Sequence, residues 1–155
     1  MAVNSAPLLV VTGGAGRIAS FYRRWLAGEE DGAPAHSPWR VRLVDIREPA
    51  ASRPGDETIT GADADMATLA NAERAIDGAH TVLHLAADPS PRADFYESLL
   101  DRNIKATYNV VHAAAAAGVK RVVFASSVNA ILGYPASHQA RATDVAYPGN
   151  VYGAS

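Results

Sequence analysis

The chain contains no cysteine, which removes disulfide frameworks, thiolate metal sites and thiol nucleophiles from consideration together. Charge of one sign is also lacking. Fourteen Lys and Arg against 16 Asp and Glu leave a net charge of −2, without the basic stripe that a nucleic-acid backbone demands. No apolar run approaches the roughly 20 residues of a membrane span, and Met1 to Pro7 lacks the basic-then-apolar pattern of a secretory leader. The histidines His36, His80, His84, His112 and His138 show no paired ligand spacing, so no metal site is expected and His84 reads as a strand residue. These absences point to a cytoplasmic protein that binds neither nucleic acid nor membrane. What the 155 residues do have is 48% apolar content, enough for one core and hence one domain over residues 1–155.

The apolar residues follow two alternating patterns. Pro7 to Thr12 is a continuous apolar run, as expected of a strand buried on both faces, and it stops at Gly13-Gly14. Helical spacing follows, with Ile18, Phe21, Tyr22, Trp25 and Leu26 predicted to lie on one stripe against the sheet. Further strands are predicted at Val41–Ile46, Glu57–Thr60, Thr81–Ala87 and Arg121–Ser127, and helices at Met66–Ile76 and Ala93–Ala117, with surface loops at Glu29–Pro38 and Pro49–Asp56. This alternation implies βαβ crossovers: an α/β, Rossmann-like, doubly wound parallel sheet of about five strands in the order 3-2-1-4-5. The run Ala113–Ala117, closed by Gly118, fits a packed helix.

The first loop carries the strongest chemical signal. Thr12-Gly13-Gly14-Ala15-Gly16-Arg17-Ile18-Ala19 lies between the first strand and an amphipathic helix, where a pyrophosphate-binding turn is expected. Gly13 and Gly16 permit the sharp turn and the close approach of a phosphate to the N–H groups of Arg17 and Ile18, while Ala19 replaces a third glycine at the helix–strand contact. Asp45, at the end of the second strand, is suited to accept hydrogen bonds from ribose hydroxyls and would repel a 2′-phosphate. NAD is therefore favoured over NADP, although Arg47 nearby is the kind of residue that accommodates the latter. Asn103 stands out differently: Tyr96, Leu99, Asn103, Ala106 and Val110 fall on one stripe, which places an amide on an apolar face. It either supports a site or bonds to neighbouring backbone.

With Thr12 to Ala19, Asp45, His84-Leu-Ala-Ala87, Phe124-Ala-Ser-Ser127 and Tyr152-Gly-Ala-Ser155 in order, the chain resembles the extended short-chain dehydrogenase/reductases, the NAD-dependent epimerase/dehydratase group. The resemblance implies that Asp65 and Met66 lie against adenine, with Asp63 an alternative register, and that Leu85, Ala86 and Ala87 pass under the central ribose and phosphates. It implies that Asn103 supports the active site and that Ser127, rather than Ser126, and Tyr152, rather than Tyr147, are the catalytic pair. The family's tyrosine belongs to Tyr-x-x-x-Lys, and the lysine would fall one position after Ser155, so a truncated chain without its substrate domain, inactive by itself, is expected. Within the family, the segments His84 to Pro91 and Gly118 to Ser127 are most similar to uronate and related sugar dehydrogenases, which usually carry Asn-His where Val128-Asn129 stands here. A sugar or nucleotide-sugar substrate is thus implied for the full-length form, with a nucleotide-sugar epimerase or dehydratase as the second enzyme and a non-catalytic NAD-binding module as the reading from another class. The family's four-helix dimer uses the helix over Ala93–Ala117 together with one beginning near Tyr152, so a homodimer is not expected of this length of chain.

Overall fold

The computed structural model describes residues 6–33, 37–50 and 55–155. Met1–Ser5, His36 and the centres of the two loops expected at Glu29–Pro38 and Pro49–Asp56 lie outside the described residues.

Five parallel strands form one sheet: β1 (Leu8–Thr12), β2 (Arg40–Asp45), β3 (Glu57–Thr60), β4 (Thr81–His84) and β5 (Arg121–Phe124). Their order is β3-β2-β1-β4-β5, as the alternation of patterns predicts. Strand β1 is central because all five of its residues are buried, and it pairs on one side with β2 (Val10 opposite Arg42) and on the other with β4 (Val10 opposite Val82). The chain reverses its direction of travel across the sheet between β1 and β4. In open α/β sheets the crevice at the carboxyl ends of two such strands is where ligands bind.

Helices cover both faces. On one, α2 (Leu69–Ile76) and α3 (Ala106–Ala116) pack Ala72, Ala75, Ile76, Val110, Ala113 and Ala114 onto Leu8, Val10, Val44 and Val82. The alanines let the two helices sit close, so the alanine run is core on one side. On the other face α1 (Arg17–Leu26) buries Ala19 and Leu26 against Leu9, Val11, Val41 and Leu43.

Several expected boundaries move. The stripe that α1 presents to the sheet is Ala19, Tyr22, Arg23 and Leu26, whereas Ile18 and Phe21 are 62% and 57% exposed, and Trp25 lies at the rim. The small side chain of Ala19 sets this rotation: it lets the helix backbone approach the sheet, and larger residues one position away are turned outward. Strand β4 stops at His84 because the N–H groups of Leu85 and Ala86 turn onto Thr12. Strand β5 likewise stops at Phe124, after Ala125 N–H reaches the His84 carbonyl. The segment before Leu69 forms a 3₁₀ turn (Gly61–Ala64). The long helix is continuous, but its first part, Phe95–Lys105, is a π-helix leading into α3. A π turn holds more residues than an α turn, so Tyr96 swings off the stripe to 80% exposure while Leu99, Asn103, Ala106 and Val110 stay buried.

Candidate functional site

The glycine loop is held from three directions. Gly13 has φ +70°, and a Cβ there would come within 2.7 Å of the Leu85 and Ala86 backbone, so the loop lies directly on the chain leaving β4. A Cβ on Gly14 would touch Leu43 Cβ at 3.0 Å, and one on Gly16 would touch the Gly13 carbonyl at 3.0 Å. The loop spends its own donors internally: Gly14 N–H bonds Val44 O, Ala15 N–H bonds Asp45 Oδ2 and Gly16 N–H bonds Gly13 O. The first turn of α1 differs. Gly16 caps it without a side-chain hydrogen bond, and the ladder begins with Ser20 N–H to Gly16 O, so the N–H groups of Arg17, Ile18 and Ala19 point out of the helix end. Three convergent donors at a positive helix end, beside a loop whose one side chain is the Ala15 methyl, suit a diphosphate.

Asp45 is only 8% exposed. Besides Ala15 N–H at 3.0 Å, it accepts Arg47 N–H at 2.9 Å, one bond to each carboxylate oxygen. The Arg47 guanidinium also pairs with Oδ1 at 3.7 Å. The carboxylate, still able to accept further hydrogen bonds, is locked to the phosphate loop, so a ribose reader and a phosphate reader move as one body. These residues fit an adenine dinucleotide.

Asp65 and Met66 behave differently from each other. Met66 is in the core, with its carbonyl bonded by Asn109 Nδ2, while Asp65 is exposed and accepts Ala67 N–H at 3.0 Å. Asp63 pairs with Arg74 at 2.9 Å.

The end of β4 is organised by His84, which is 1% exposed. Its Nδ1 lies 2.6 Å from Thr12 Oγ1, and its Nε2 lies 3.2 Å from Thr107 Oγ1. Thr12 Oγ1 already accepts Leu85 and Ala86 N–H, so its proton goes to His84 Nδ1, and the ring carries its own proton on Nε2. Burial pulls the His84 pKa from 6.5 down to about 4, which keeps the ring neutral. The strip Leu85–Ala87 is thereby fastened to the glycine loop and to α3.

Asn103 is buried, and its side-chain amide makes three hydrogen bonds, all directed at the site. Its Oδ1 accepts Asp88 N–H at 2.9 Å, and its Nδ2 donates to Asp88 O at 3.3 Å and Ser155 Oγ at 3.0 Å. The amide therefore joins the loop after β4 to the carboxyl-terminal helix α4 (Val151–Ala154). Asp88 also accepts Ser98 Oγ–H at 2.5 Å, and chiefly this bond holds its pKa below the usual carboxylate range.

Ala87, Asn103, Ser126, Ser127 and Tyr152 line one open cleft of about 250 Å³ between the end of β5 and α4. Ser127 caps the 3₁₀ turn Val128–Ile131, where its Oγ accepts Asn129 N–H at 3.2 Å. Tyr147 packs against Tyr134 and is absent from the cleft lining. The structure thus places Gly13, Gly16, Arg17, Ile18, Asp45, Leu85, Ala86, Ala87, Asn103, Ser127 and Tyr152 along the carboxyl edge of the sheet, with Asp65 at an exposed turn beyond β3. Sequence reasoning missed Thr12 as an organiser, and also Asp88, Asn129 and Asn150. Only Asn150 had a legible signal, an asparagine at the cap position before the helix of Tyr152.

Residues 9–155 match the NAD dependent epimerase/dehydratase family. The chain is 33% identical over 129 residues to the NAD-dependent glucose-6-phosphate dehydrogenase of Haloferax volcanii, covering 74% of this chain and 48% of that protein. It is 31% identical over 148 residues to the uronate dehydrogenase of Pseudomonas putida, covering 95% of this chain and 50% of that one. Among solved structures, a mutant uronate dehydrogenase of Agrobacterium tumefaciens complexed with NAD superposes with a TM-score of 0.78 at 28% identity, covering 96% of this chain and 51% of that one. The chain spans about half the length of the curated relatives it matches.

Proposed function

The chain belongs to the NAD dependent epimerase/dehydratase family, and from that premise we propose that it is the cytoplasmic, NAD-binding portion of a sugar dehydrogenase of the uronate type. The observation that carries this reading is the union of the unbonded first turn of α1 with Asp45 through the Ala15–Asp45 bond. Arg17 and Ile18 N–H groups would hold the pyrophosphate, and Asp45 the adenosine ribose. Asp65 and Met66 would flank the adenine, and Leu85 to Ala87 would floor the central ribose. When bound, NAD supplies the hydride acceptor for oxidation of a sugar carbon. The chain's own contribution is proton handling and orientation: Tyr152 takes the proton of the sugar hydroxyl, Ser127 holds the oxygen from which it leaves, and Asn103 steadies α4. Residues 1–155 would form a single dinucleotide-binding domain.

Titration with NADH, followed by energy transfer from Trp25 and Trp39, tests the reading. Saturable binding is expected, weakened about tenfold or more in Asp45→Ala, with NADPH bound more weakly than NADH by the native chain. Equal affinity for the two cofactors, or no effect of Asp45→Ala, would remove the assignment of Asp45.

A further inference from the structure

The hydrogen bonds around Ser127 have a direction, and the backbone sets it. Gly153 N–H lies 2.7 Å from Asn150 Oδ1. A backbone N–H can only donate, so this atom of Asn150 must be its oxygen, and the other end of the side chain must be the NH₂ group. That NH₂ lies 2.8 Å from Asn129 Oδ1, which fixes the second amide in the same sense. Asn129 Nδ2 in turn lies 3.3 Å from Ser127 Oγ, and Asn129 N–H approaches the same oxygen at 3.2 Å. Both lone pairs of the serine oxygen are then occupied. What remains is its O–H, and among the described residues no acceptor takes it.

The relay is mechanically tight as well as directional. A Cβ on Gly153 would fall within 2.6 Å of the Asn129 carbonyl carbon and closer still to its oxygen, so only glycine allows α4 to dock on the turn that holds Ser127. Tyr152 sits between Asn150 and Gly153, inside the capped turn, and lines the same cleft as Ser127.

We propose that Asn150 and Asn129 are positioning residues that fix Ser127 as a hydrogen-bond donor to an oxygen bound in the cleft, and that they tie that polarity to the helix carrying Tyr152. This rests on the proposed dehydrogenase reading only for the identity of that oxygen. The occupant would be a hydroxyl or carbonyl oxygen with a free lone pair, and a ligand presenting only a donor N–H at this point would be refused.

Asn150→Asp reverses the relay by the change of one atom. The new carboxylate still caps α4 by accepting Gly153 N–H, but it cannot donate to Asn129. The Asn129 amide must turn over, pointing its oxygen at Ser127, whose O–H is then consumed inside the protein. On isotope-labelled full chain, scalar couplings across hydrogen bonds read the direction. Native protein should connect Gly153 N to Asn150 Cγ and Asn150 Nδ2 to Asn129 Cγ. In Asn150→Asp the second coupling should be replaced by one from Asn129 Nδ2 to the new carboxylate carbon, with the thermal midpoint nearly unchanged. With NADH present, D-glucuronate affinity should fall about tenfold in Asn150→Asp, the loss expected in Ser127→Ala. A native coupling from Asn129 Nδ2 to Asn150 Cγ would overturn the proposal, as would unchanged glucuronate affinity in Asn150→Asp. Native couplings as expected, without glucuronate binding, would sustain the polarity and overturn the sugar reading instead.

Discussion

At the scale of single residues, His84 shows how one buried ring can hold a strand end and set a pH limit on stability. The ring is neutral when folded because burial lowers its pKa to about 4, while an unfolded histidine titrates near 6.5. The unfolded chain therefore binds a proton first as pH falls, and the stability present above pH 6.5 is lost progressively down to about pH 4. At pH 5 the loss from this group amounts to about 2 kcal/mol. Urea unfolding at pH 7 and pH 5, on native protein and His84→Asn, should show that much greater pH sensitivity in the native chain; equal sensitivity would mean that the ring is not excluded from water. In the sequence His84 was legible as a strand residue, but not as a buried one. Its partners Thr12 and Thr107 were not legible, being 72 and 23 residues away in the chain. Asp45 divides the same way: its place at a strand end follows from pattern, but its bond to Ala15 N–H depends on the pairing of β1 with β2.

At the scale of elements, the type and order of helices and strands followed from periodicity because each buries a different geometry of apolar surface. Their ends did not, since they are decided by which acceptor a few N–H groups find. The helix starting at Phe95 illustrates both. Asp94 ends the preceding extended segment and accepts N–H from Tyr96 at 2.8 Å and Glu97 at 2.9 Å, satisfying two donors that the helix leaves open. Replacing it with alanine should cost about 1 kcal/mol, read from denaturant midpoints, and should leave Asn103 and the cleft intact because those bonds lie two turns further on. Loss of cofactor binding in Asp94→Ala would show instead that the π segment and the site fold as one unit. The π geometry itself has no signature in the spacing, which is why Tyr96 was expected on the buried stripe and stands in solvent.

For the whole molecule, the sheet has an asymmetry that its core conceals. Strand β1 is buried along its length, yet β5, at the edge, leaves Val122, Val123 and Phe124 between 37% and 51% exposed. Both faces of this strand are partly bare: Val123 lies beside Leu83 on the side of α1, while Val122 and Phe124 lie beside Val82 and His84 on the side of α3. An apolar edge that no other strand among the described residues pairs with invites a second chain. The energy available is modest, because completing the burial of three half-exposed side chains contributes about 3 kcal/mol. Association costs at least about 4 kcal/mol of lost rigid-body freedom, so strand pairing must supply the balance and the contact should be weak. Sedimentation of the native chain should accordingly show self-association that grows with concentration and strengthens with salt as charged Lys120 and Arg121 at the edge are screened. Val123→Lys should return the chain to a monomer across the same range without lowering its unfolding midpoint, since the side chain it replaces contributes little to the core. A tight dimer that survives dilution and ignores Val123→Lys would place the interface elsewhere.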